Sequence, residues 1–283
     1  MKLKALLPFL AFLTIFAACS DKNEALPPID PAFTNYIRGF TAGVISNKST
    51  IKIKLAEANP KAVEGEEISG IFDFSPDIEG KAIWIDDKTV EFIPTERLPS
   101  GVIYDAEFEL GDLQDVPSKL STFEFRFQTI RQDIYLVFEG MQAYEDDKLQ
   151  WQQLSGTIQT SDYTEIDALQ KTLTATQNGK ELSISWEFSS EGLSHVFKVD
   201  SVSRKEEAQK VVLAWNGQEI DSEAEGEQVI DIPALGDFTV MSVLVEQLPK
   251  QKITINFSDP LSSSQQIEGL IYTKEADEFR LRK

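Results

Sequence analysis

The feature of this sequence that most constrains its fold is a strict alternation of apolar and polar residues in short runs. Within residues 102–110 every second residue is apolar, and within residues 122–129 three phenylalanines alternate with charged or amide side chains. A period of two places one face of each run in a core and the other in water, as in a half-buried antiparallel strand. Runs this short, separated by turn residues, predict an all-β chain of tandem Ig-like antiparallel β-sandwiches.

Residues 35–130 are predicted to form the first sandwich. Their central part, residues 67–110, has Pro-Asp, Asp-Asp-Lys and Pro-Ser-Gly turns between the alternating runs. The strands expected in this sandwich are residues 49–55, 68–74, 82–85, 89–93, 102–110 and 122–129. We expect the first and the last of these strands to form its edges.

Residues 131–220 are predicted to form the second sandwich. Its expected strands are residues 134–139, 153–159, 182–188, 194–199 and 210–215. An Asn-Gly pair at 178–179 is a strong hairpin-turn signal. One short helix is predicted over residues 162–174, because apolar residues recur there at helical spacing and Asp162 with Glu165 forms a start like a capping box.

The remaining residues, 221–283, are predicted to hold a linker and an incomplete third sandwich. The acidic stretch 221–227 is interpreted as the linker or an exposed loop. The strands expected after it are residues 229–232, 239–245, 252–257, 267–273 and 278–281, the first two as a pair. A complete sandwich needs about seven strands, so this third module is expected to be unfinished.

The three modules open alike. Each begins with an alternating strand, followed by a variable loop and a strand that carries Gly70, Gly156 or Gly269 at the same relative place. A repeat of ~90–110 residues indicates a tandem array of sandwiches. Each of these glycines is predicted to mark a β-bulge or a close approach of two backbones.

The first 18 residues have the features of a bacterial lipoprotein signal peptide. Two lysines precede an apolar run of ~14 residues, which is too short to span a membrane as a helix. The sequence Phe16-Ala17-Ala18-Cys19 resembles a lipobox, in which the cysteine is lipidated after cleavage. Cys19 is the only cysteine of the chain, so it cannot form an internal disulfide. Lipidation is its favoured role, and an ordinary signal peptide with an incidental cysteine is the alternative.

The segment after the lipobox predicts how the chain is attached. Residues 19–34 are polar and rich in proline, which is typical of a flexible tether. Ser20-Asp21 also resembles the surface-export signal of Bacteroidetes-type lipoproteins. We therefore expect a lipid-anchored protein of the bacterial cell envelope at the outer membrane, with periplasm-facing and cell-surface placements both open.

Composition argues against several classes of function. The chain has 27 basic and 47 acidic residues and a net charge of −20, a field that repels nucleic acid and anionic lipid surfaces. His195 is the only histidine and lies within a predicted strand, which leaves no ligand set for zinc and no catalytic triad. We find no phosphate-binding glycine loop. The sequence therefore predicts no enzyme, no catalytic residue, no cofactor and no metal site.

Two further residue classes have a structural and a functional interpretation. Carboxylates cluster at residues 64–67, 86–87 and 145–147, but none of these clusters has the spacing of a calcium loop, so solvated turns are favoured. Trp84, Trp186 and Trp215 alternate with polar residues and are expected to pack in cores rather than to stack on carbohydrate. Trp151 lies in a polar setting and is the tryptophan expected to be exposed.

Motifs in all three modules carry a family resemblance. The first module has Phe74-Ser75-Pro76, Gly80-Lys81-Ala82-Ile83-Trp84, Phe92-Ile93-Pro94, Leu98-Pro99-Ser100-Gly101 and Tyr104. The second has Ser155-Gly156-Thr157, Trp186, His195-Val196-Phe197 and residues 211–217, and the third has Phe257-Ser258-Asp259-Pro260-Leu261 and residues 265–271. Together they resemble the N-terminal macroglobulin-like domains of Bacteroidetes-type alpha-2-macroglobulin family lipoproteins.

The resemblance implies a protease trap held at the envelope by a lipid anchor. In that family, cleavage of a bait region causes collapse around the protease, and many members then capture it through a Cys–Gln thioester. It implies proteases as partners and further macroglobulin-like domains in the same protein. No bait region is identified in these residues, and no thioester can form within them because Cys19 is the only cysteine. Either those parts lie in a continuation beyond Lys283, or the chain keeps only the scaffold.

Three hypotheses for the function follow. The first is a non-enzymatic scaffold region that contributes to endopeptidase inhibition within such a trap. The second is a free-standing surface lipoprotein whose Ig-like modules bind a glycan or a protein ligand. The third, an acid-rich hydrolase, is disfavoured because no nucleophile or base is poised for catalysis.

Overall fold

A computed structural model of the chain describes residues 28–143, 149–189, 192–247, 249–262, 264 and 266. Within these residues strands predominate, and they form two β-sandwiches followed by a β-hairpin. This part of the chain has two short α-helices, and no helix in it is long and apolar enough to cross a membrane. The all-β class with tandem sandwiches, predicted from the alternating runs, is confirmed.

The first sandwich packs a five-stranded sheet against a four-stranded sheet. Its strands are β1 (Ile37–Phe40), β2 (Gly43–Ile45), β3 (Ile51–Leu55), β4 (Glu67–Ile68), β5 (Phe72–Ser75), β6 (Gly80–Trp84), β7 (Thr89–Pro94), β8 (Ile103–Glu109) and β9 (Thr122–Thr129). The larger sheet has the order β1-β3-β7-β6-β4 and the smaller one β2-β9-β8-β5. The pairs are antiparallel except β2 with β9, which is parallel. A short helix, α1 (Leu110–Leu113), follows β8.

The core of the first sandwich is produced by the alternation along its strands. Ile51, Ile53 and Leu55 of β3 are at most 1% exposed, whereas the lysines between them face solvent. On the facing sheet, the stacked rings of Phe123 and Phe125 lie with their centroids 5.7 Å apart. Burying one such side chain is worth about 1.5–3 kcal/mol, so short strands suffice to hold the sheets together.

Two predictions for the first sandwich are wrong. The strands β3 and β9 are interior strands rather than edges, because β1 and β2 pair with their outer sides. Residues 68–74 are not one strand, since β4 ends at Ile68 and β5 begins at Phe72 in the opposite sheet. Gly70 between them has a φ of 68°, a left-handed conformation that glycine adopts without strain. The chain crosses between the sheets at this glycine.

The second sandwich packs two four-stranded sheets together. Its strands are β10 (Ile134–Ala143), β11 (Trp151–Thr160), β12 (Leu173–Gln177), β13 (Lys180–Glu181), β14 (Ile184–Phe188), β15 (Ser194–Ser203), β16 (Gln209–Asn216) and β17 (Glu225–Ile232). The sheet orders are β10-β11-β15-β14 and β13-β12-β16-β17. The predicted hairpin turn is confirmed, because Asn178 and Gly179 connect β12 to β13 with φ values of 53° and 73°.

The helix predicted over residues 162–174 is shorter than expected. The helix α2 comprises Ile166–Gln170, and Leu173 already begins β12. Its apolar spacing points only partly into the core, since Leu169 is fully buried whereas Ile166 is 42% exposed. The predicted capping box is absent, because Glu165 is the N-cap and its side chain makes no capping hydrogen bond. The carboxylate of Asp162 instead accepts hydrogen bonds from Ser46 and Asn47 of the first sandwich.

The second sandwich extends further along the chain than the sequence predicts. The strand β17 pairs with β16 along its whole length, and two of its isoleucines are buried in the second core. The predicted boundary at residue 220 and the pairing of 229–232 with 239–245 are therefore wrong. Of the stretch 221–227, predicted as a linker or exposed loop, residues 221–224 lie in the connection before β17 and residues 225–227 belong to the strand. The alternating glutamates of this strand face solvent, which is why the stretch resembles a loop in sequence.

A hairpin of β18 (Val240–Glu246) and β19 (Lys252–Phe257) follows the second sandwich. Its strands match the runs predicted at 239–245 and 252–257. The runs predicted at 267–273 and 278–281 lie outside the described residues.

The repeated glycines have different roles in the two sandwiches. Gly156 lies within β11, where an added Cβ would overlap the ring of Phe197 and lie 2.6 Å from the carbonyl oxygen of Val137. The predicted close approach is confirmed at this position. Gly70 instead provides the turn described above, and Gly269 lies outside the described residues.

We expect Gly156→Ala to weaken the second sandwich by about 1–3 kcal/mol, because the added methyl group must displace Phe197 or the β10 backbone. Hydrogen exchange of the β11 and β15 amides measures this loss locally. Gly39→Ala is the control, since nothing lies within 4 Å of its added Cβ. Unchanged exchange in Gly156→Ala would contradict the prediction.

Candidate functional site

A buried carboxylate joins the first sandwich to the second. Asp162 lies between β11 and α2 and is 4% exposed. Its carboxylate accepts hydrogen bonds from the Ser46 hydroxyl at 2.6 Å and from the Asn47 backbone N–H at 2.6 Å, both in the loop after β2. It also accepts one from the backbone N–H of Tyr163 at 2.8 Å. Hydrogen bonds to an ionised acceptor are about twice as strong as neutral ones, so this group, the Asp162 clasp, fixes the loop of the first sandwich.

The linker between the sandwiches is held at the same place. Gln132 lies in this linker, between β9 and β10, and its side-chain NH₂ donates to the carbonyl oxygen of Asp162 at 2.9 Å. Its side-chain oxygen accepts from the Asp162 N–H at 2.9 Å. Its own N–H donates to the Ser100 hydroxyl of the first sandwich at 2.6 Å. With both ends of its amide engaged, this residue prevents the linker from acting as a free hinge.

Cationic side chains from the first sandwich hold Tyr163 beside the clasp. Lys48 Nζ lies over the Tyr163 ring, and the Arg97 guanidinium carbon is 4.1 Å from its centroid. Arg97 also forms an ion pair with Glu165, and the Asn47 side-chain NH₂ donates to the carbonyl oxygen of Tyr163 at 2.9 Å. Cation–π contacts of this kind contribute about 0.5–2 kcal/mol each. The junction is thus bound on both sides of the clasp, and its polar groups connect the two sandwiches.

Asp162→Ala removes the acceptor for the Ser46 hydroxyl and the Asn47 N–H, at a cost of about 1–3 kcal/mol at the junction. We expect both sandwiches to stay folded while the distribution of angles between them broadens. Residual dipolar couplings of the two sandwiches measure that distribution. Asp167→Ala makes the same charge change at an exposed position of α2 and should leave the couplings unchanged. Identical couplings in wild type and Asp162→Ala would refute the role of the clasp.

A buried guanidinium joins the second sandwich to the hairpin. Arg204 directly follows β15, and its side chain is fully buried. It donates to both carboxylate oxygens of Asp259, at 2.7 and 3.1 Å. It also donates to the carbonyl oxygens of Pro233 at 2.9 Å, Ala234 at 2.8 Å, Asp237 at 2.7 Å and Ser258 at 3.3 Å. A buried charge is tolerated only when it is paired and hydrogen-bonded, and these bonds tie the segment after β17 and the end of β19 to one side chain.

The pairing also shifts the titration of Asp259. Burial raises the pKa of this carboxyl, but hydrogen bonds from Arg204 and Ser258 and the charge of Arg204 outweigh that effect and lower its pKa below the ordinary value. A carboxyl with a lowered pKa in the folded state stabilises that state at pH values above its unfolded pKa. This contribution is lost as the pH falls through the folded pKa.

We expect the amides of the hairpin to lose hydrogen-exchange protection as the pH is lowered from about 5 to about 2, because Asp259 becomes protonated. In Asp259→Asn this acid-dependent loss should be much smaller, and protection should already be reduced near neutral pH because Arg204 is left buried without its charge partner. Exchange rates corrected for the intrinsic effect of pH provide the measurement. The control is Asp231→Asn on the exposed side of β17, which should keep the wild-type profile. A wild-type profile in Asp259→Asn would show that protonation of Asp259 does not cause the acid-dependent loss of protection.

The hairpin also contacts the edge strand β10 at a β-bulge. Glu139 is skipped in the pairing of β10 with β11. Its carbonyl oxygen accepts from the Asn256 side-chain NH₂ at 2.6 Å and from the Ser242 hydroxyl. Gly140 makes room for this contact, since an added Cβ would lie 2.9 Å from Asn256 Cγ. The bulge therefore presents a backbone acceptor to the next module.

Of the residues singled out from sequence, those that the structure describes do not form a common site. Cys19 lies outside the described residues. His195 is 3% exposed on β15, with its ring centroid 5.4 Å from that of Phe188. Burial lowers its pKa, because the charged imidazolium is disfavoured there. This environment fits the structural interpretation of the histidine.

The carboxylate clusters and tryptophans follow the structural interpretations where they are described. Residues 64–67 are exposed, Asp86 accepts from the Lys88 N–H at 2.7 Å within its turn, and residues 145–147 lie outside the described part. Within that part, no group of three or more His, Cys, Asp or Glu side chains is arranged to hold a metal ion. Trp84 is buried and Trp151 is 48% exposed, as predicted. Trp186 and Trp215 are half-buried against the second core.

The junction residues were not identifiable as such from sequence. The only local signal at Asp162 was a capping box, and Gln132 and Arg204 belong to no motif. A polar residue between two strand patterns is ordinary in a loop, and its burial depends on a module that is distant in sequence. Asp259 does lie in one of the motifs quoted above, but its partner does not.

Comparisons with known proteins give no family. No family model and no curated protein matches the chain. L,D-transpeptidase 3 from Mycobacterium tuberculosis aligns over 61% of this chain and 77% of its own, with 10% identity and a TM-score of 0.26. Titin domains I67–I69 align over 69% and 65%, with 9% identity and a TM-score of 0.26. The eight N-terminal Ig domains of Down Syndrome Cell Adhesion Molecule align over 70% and 27%, with 12% identity and a TM-score of 0.21. At such scores the fold class rests on the strand pairing described above.

Proposed function

We propose that this chain is a non-enzymatic scaffold that holds tandem sandwiches in a fixed orientation at a bacterial cell envelope. The observation that carries the proposal is the Asp162 clasp, in which a buried carboxylate of the second sandwich is bound by the loop of the first. Modules that move freely need no such network, since domain interfaces are by default mobile unless specific contacts bind them. The Arg204–Asp259 pair supports the same role at the next junction.

The attachment in this proposal is a lipid on Cys19. The lipobox-like sequence and the polar residues 19–34 support it, because they would place the first sandwich at the end of a flexible tether. The net charge of −20 opposes adsorption of the sandwiches to anionic headgroups. Attachment would therefore depend on the lipid rather than on the protein surface.

Within this role we favour the scaffold region of an alpha-2-macroglobulin-type lipoprotein that contributes to endopeptidase inhibition. The motifs quoted above and the repeated module opening support this identification. The thioester of such a trap would be supplied by parts of the protein other than these 283 residues, because the single cysteine is assigned to the anchor. The bait region would be supplied by those parts as well. Proteases would then be partners of the assembled trap.

The alternative is a free-standing surface lipoprotein that binds a glycan or a protein. One observation favours it, which is the exposure of Trp151 at the start of β11. An exposed indole is a common contact for both kinds of ligand. The reading frame after Lys283 separates the two functions. Further modules of ~100 residues would support the trap, and an immediate stop codon would favour the free-standing protein.

We expect radiolabelled palmitate to be incorporated into the protein in bacterial cells and to be lost in Cys19→Ala, because the lipid is attached to the cysteine sulfur and N-terminus. Ser20→Ala is the matched control and should keep the label. Equal labelling of Cys19→Ala and wild type would exclude the lipid anchor and leave the scaffold role without its envelope attachment.

A further inference from the structure

The β18–β19 hairpin has one face made only of apolar side chains. Cross-strand pairing places on it Val240, Val243, Val245, Ile253, Ile255 and Phe257. Val243, Val245 and Ile253 are 55%, 62% and 53% exposed, so the described residues leave this face largely uncovered. The opposite face carries Ser242 and Asn256, which bind the β10 bulge. A contiguous exposed apolar surface marks a site of interaction.

The pairing of this hairpin repeats that of β1 with β3. In the first sandwich, the first residue of β1, Ile37, lies opposite the last residue of β3, Leu55, and the next residue of β1 is skipped. In the hairpin, Val240 lies opposite Phe257, and again the next residue is skipped. Both pairs therefore have a bulge at the same register.

A backbone hydrogen bond at the end of each pair strengthens this equivalence. The Ala56 N–H, just after β3, donates to the Tyr36 carbonyl just before β1 at 2.7 Å. The Ser258 N–H, just after β19, donates to the Thr239 carbonyl just before β18 at 2.9 Å. The strand β19 is therefore the counterpart of β3, and its apolar face is the counterpart of a core face.

In the first sandwich the residues that follow β3 in the chain contribute to the same core as β3. Residues 68–74 cross to the opposite sheet there, and Ile71 and Phe74 are 1% and 6% exposed. Together with Ile51, Ile53 and Leu55 of β3, these two side chains belong to one buried cluster. A hairpin with the same pairing requires an equivalent cover.

We propose that residues 267–273 of this chain cover the apolar face of the hairpin. These residues lie outside the described part, but their sequence Ile-Glu-Gly-Leu-Ile-Tyr-Thr repeats the pattern Ile-Ser-Gly-Ile-Phe-Asp-Phe of residues 68–74, with glycine at the same place. They begin ten residues after β19 ends, whereas residues 68–74 begin thirteen residues after β3 ends. Leu270 takes the place of Ile71 in this arrangement. The proposal is independent of envelope attachment.

A second copy of the chain is a poorer occupant of this face. Each copy carries a net charge of −20, so close approach of two copies is opposed over the whole surface. The face itself has no charged residue that could offset this repulsion. A segment joined to β19 by a short loop pays no such electrostatic cost and has a high effective concentration.

The test is hydrogen exchange of the β18 and β19 amides in the full chain. Leu270→Asp puts a charge against the apolar face, and we expect exchange to accelerate by about tenfold or more. Tyr272→Asp is the matched control, because its counterpart Asp73 is exposed on β5, and its exchange should stay within about twofold of wild type. The β10 and β11 amides in the same samples show whether the second sandwich remains folded.

Three results would overturn the proposal. Exchange of the β18 and β19 amides could be the same in Leu270→Asp and wild type, which would mean that Leu270 does not cover the face. Protection that rises with protein concentration would assign the face to a second copy. Protection that appears only when a protein or glycan ligand is added would assign it to that partner.

Discussion

A carboxylate removed from water must be matched by hydrogen-bond donors, and the arrangement of the first two sandwiches depends on how Asp162 is matched. Two of its donors belong to the loop after β2 and one to its own segment. Separating the sandwiches would strip the carboxylate of the Ser46 and Asn47 donors, although water could replace them. The bonds therefore mainly fix the orientation of one sandwich relative to the other, because each bond requires a narrow range of distances and angles.

The second junction uses the opposite charge in the same way. Arg204 belongs to the second sandwich, and it donates mainly to backbone carbonyls of the segment that leads into the hairpin. The planar guanidinium offers five N–H groups in a rigid fork. A fully bonded arginine therefore holds its acceptor oxygens close to one plane. Both junctions thus place one charged side chain of the second sandwich against the backbone of its neighbour. The second sandwich is the module that carries both orienting groups.

Which parts of the structure could be predicted depends on whether their signal is local in the sequence. Strand β9 begins and ends where the alternation predicts, because the alternation is a local pattern that assigns each residue either to the core face or to the solvent face. The break between β4 and β5 could not be predicted, since an apolar run looks the same whether or not the chain changes sheets at Gly70. The junctions were hidden for a related reason. The atoms that bind Asp162 and Arg204 are largely backbone atoms, which every residue has.

The junctions and the apolar face of the hairpin differ in a way that separates two kinds of contact. Polar groups such as those around Asp162 can be hydrated before docking, so two finished sandwiches can fold separately and then associate. The side chains on the apolar face have no such alternative, and exposing them costs about 25 cal/mol for each Å² left in water. Contacts of the first kind join modules, whereas a surface of the second kind belongs inside one. This difference supports the proposal that the hairpin completes a core, and the polar face that binds Glu139 is its junction with the second sandwich.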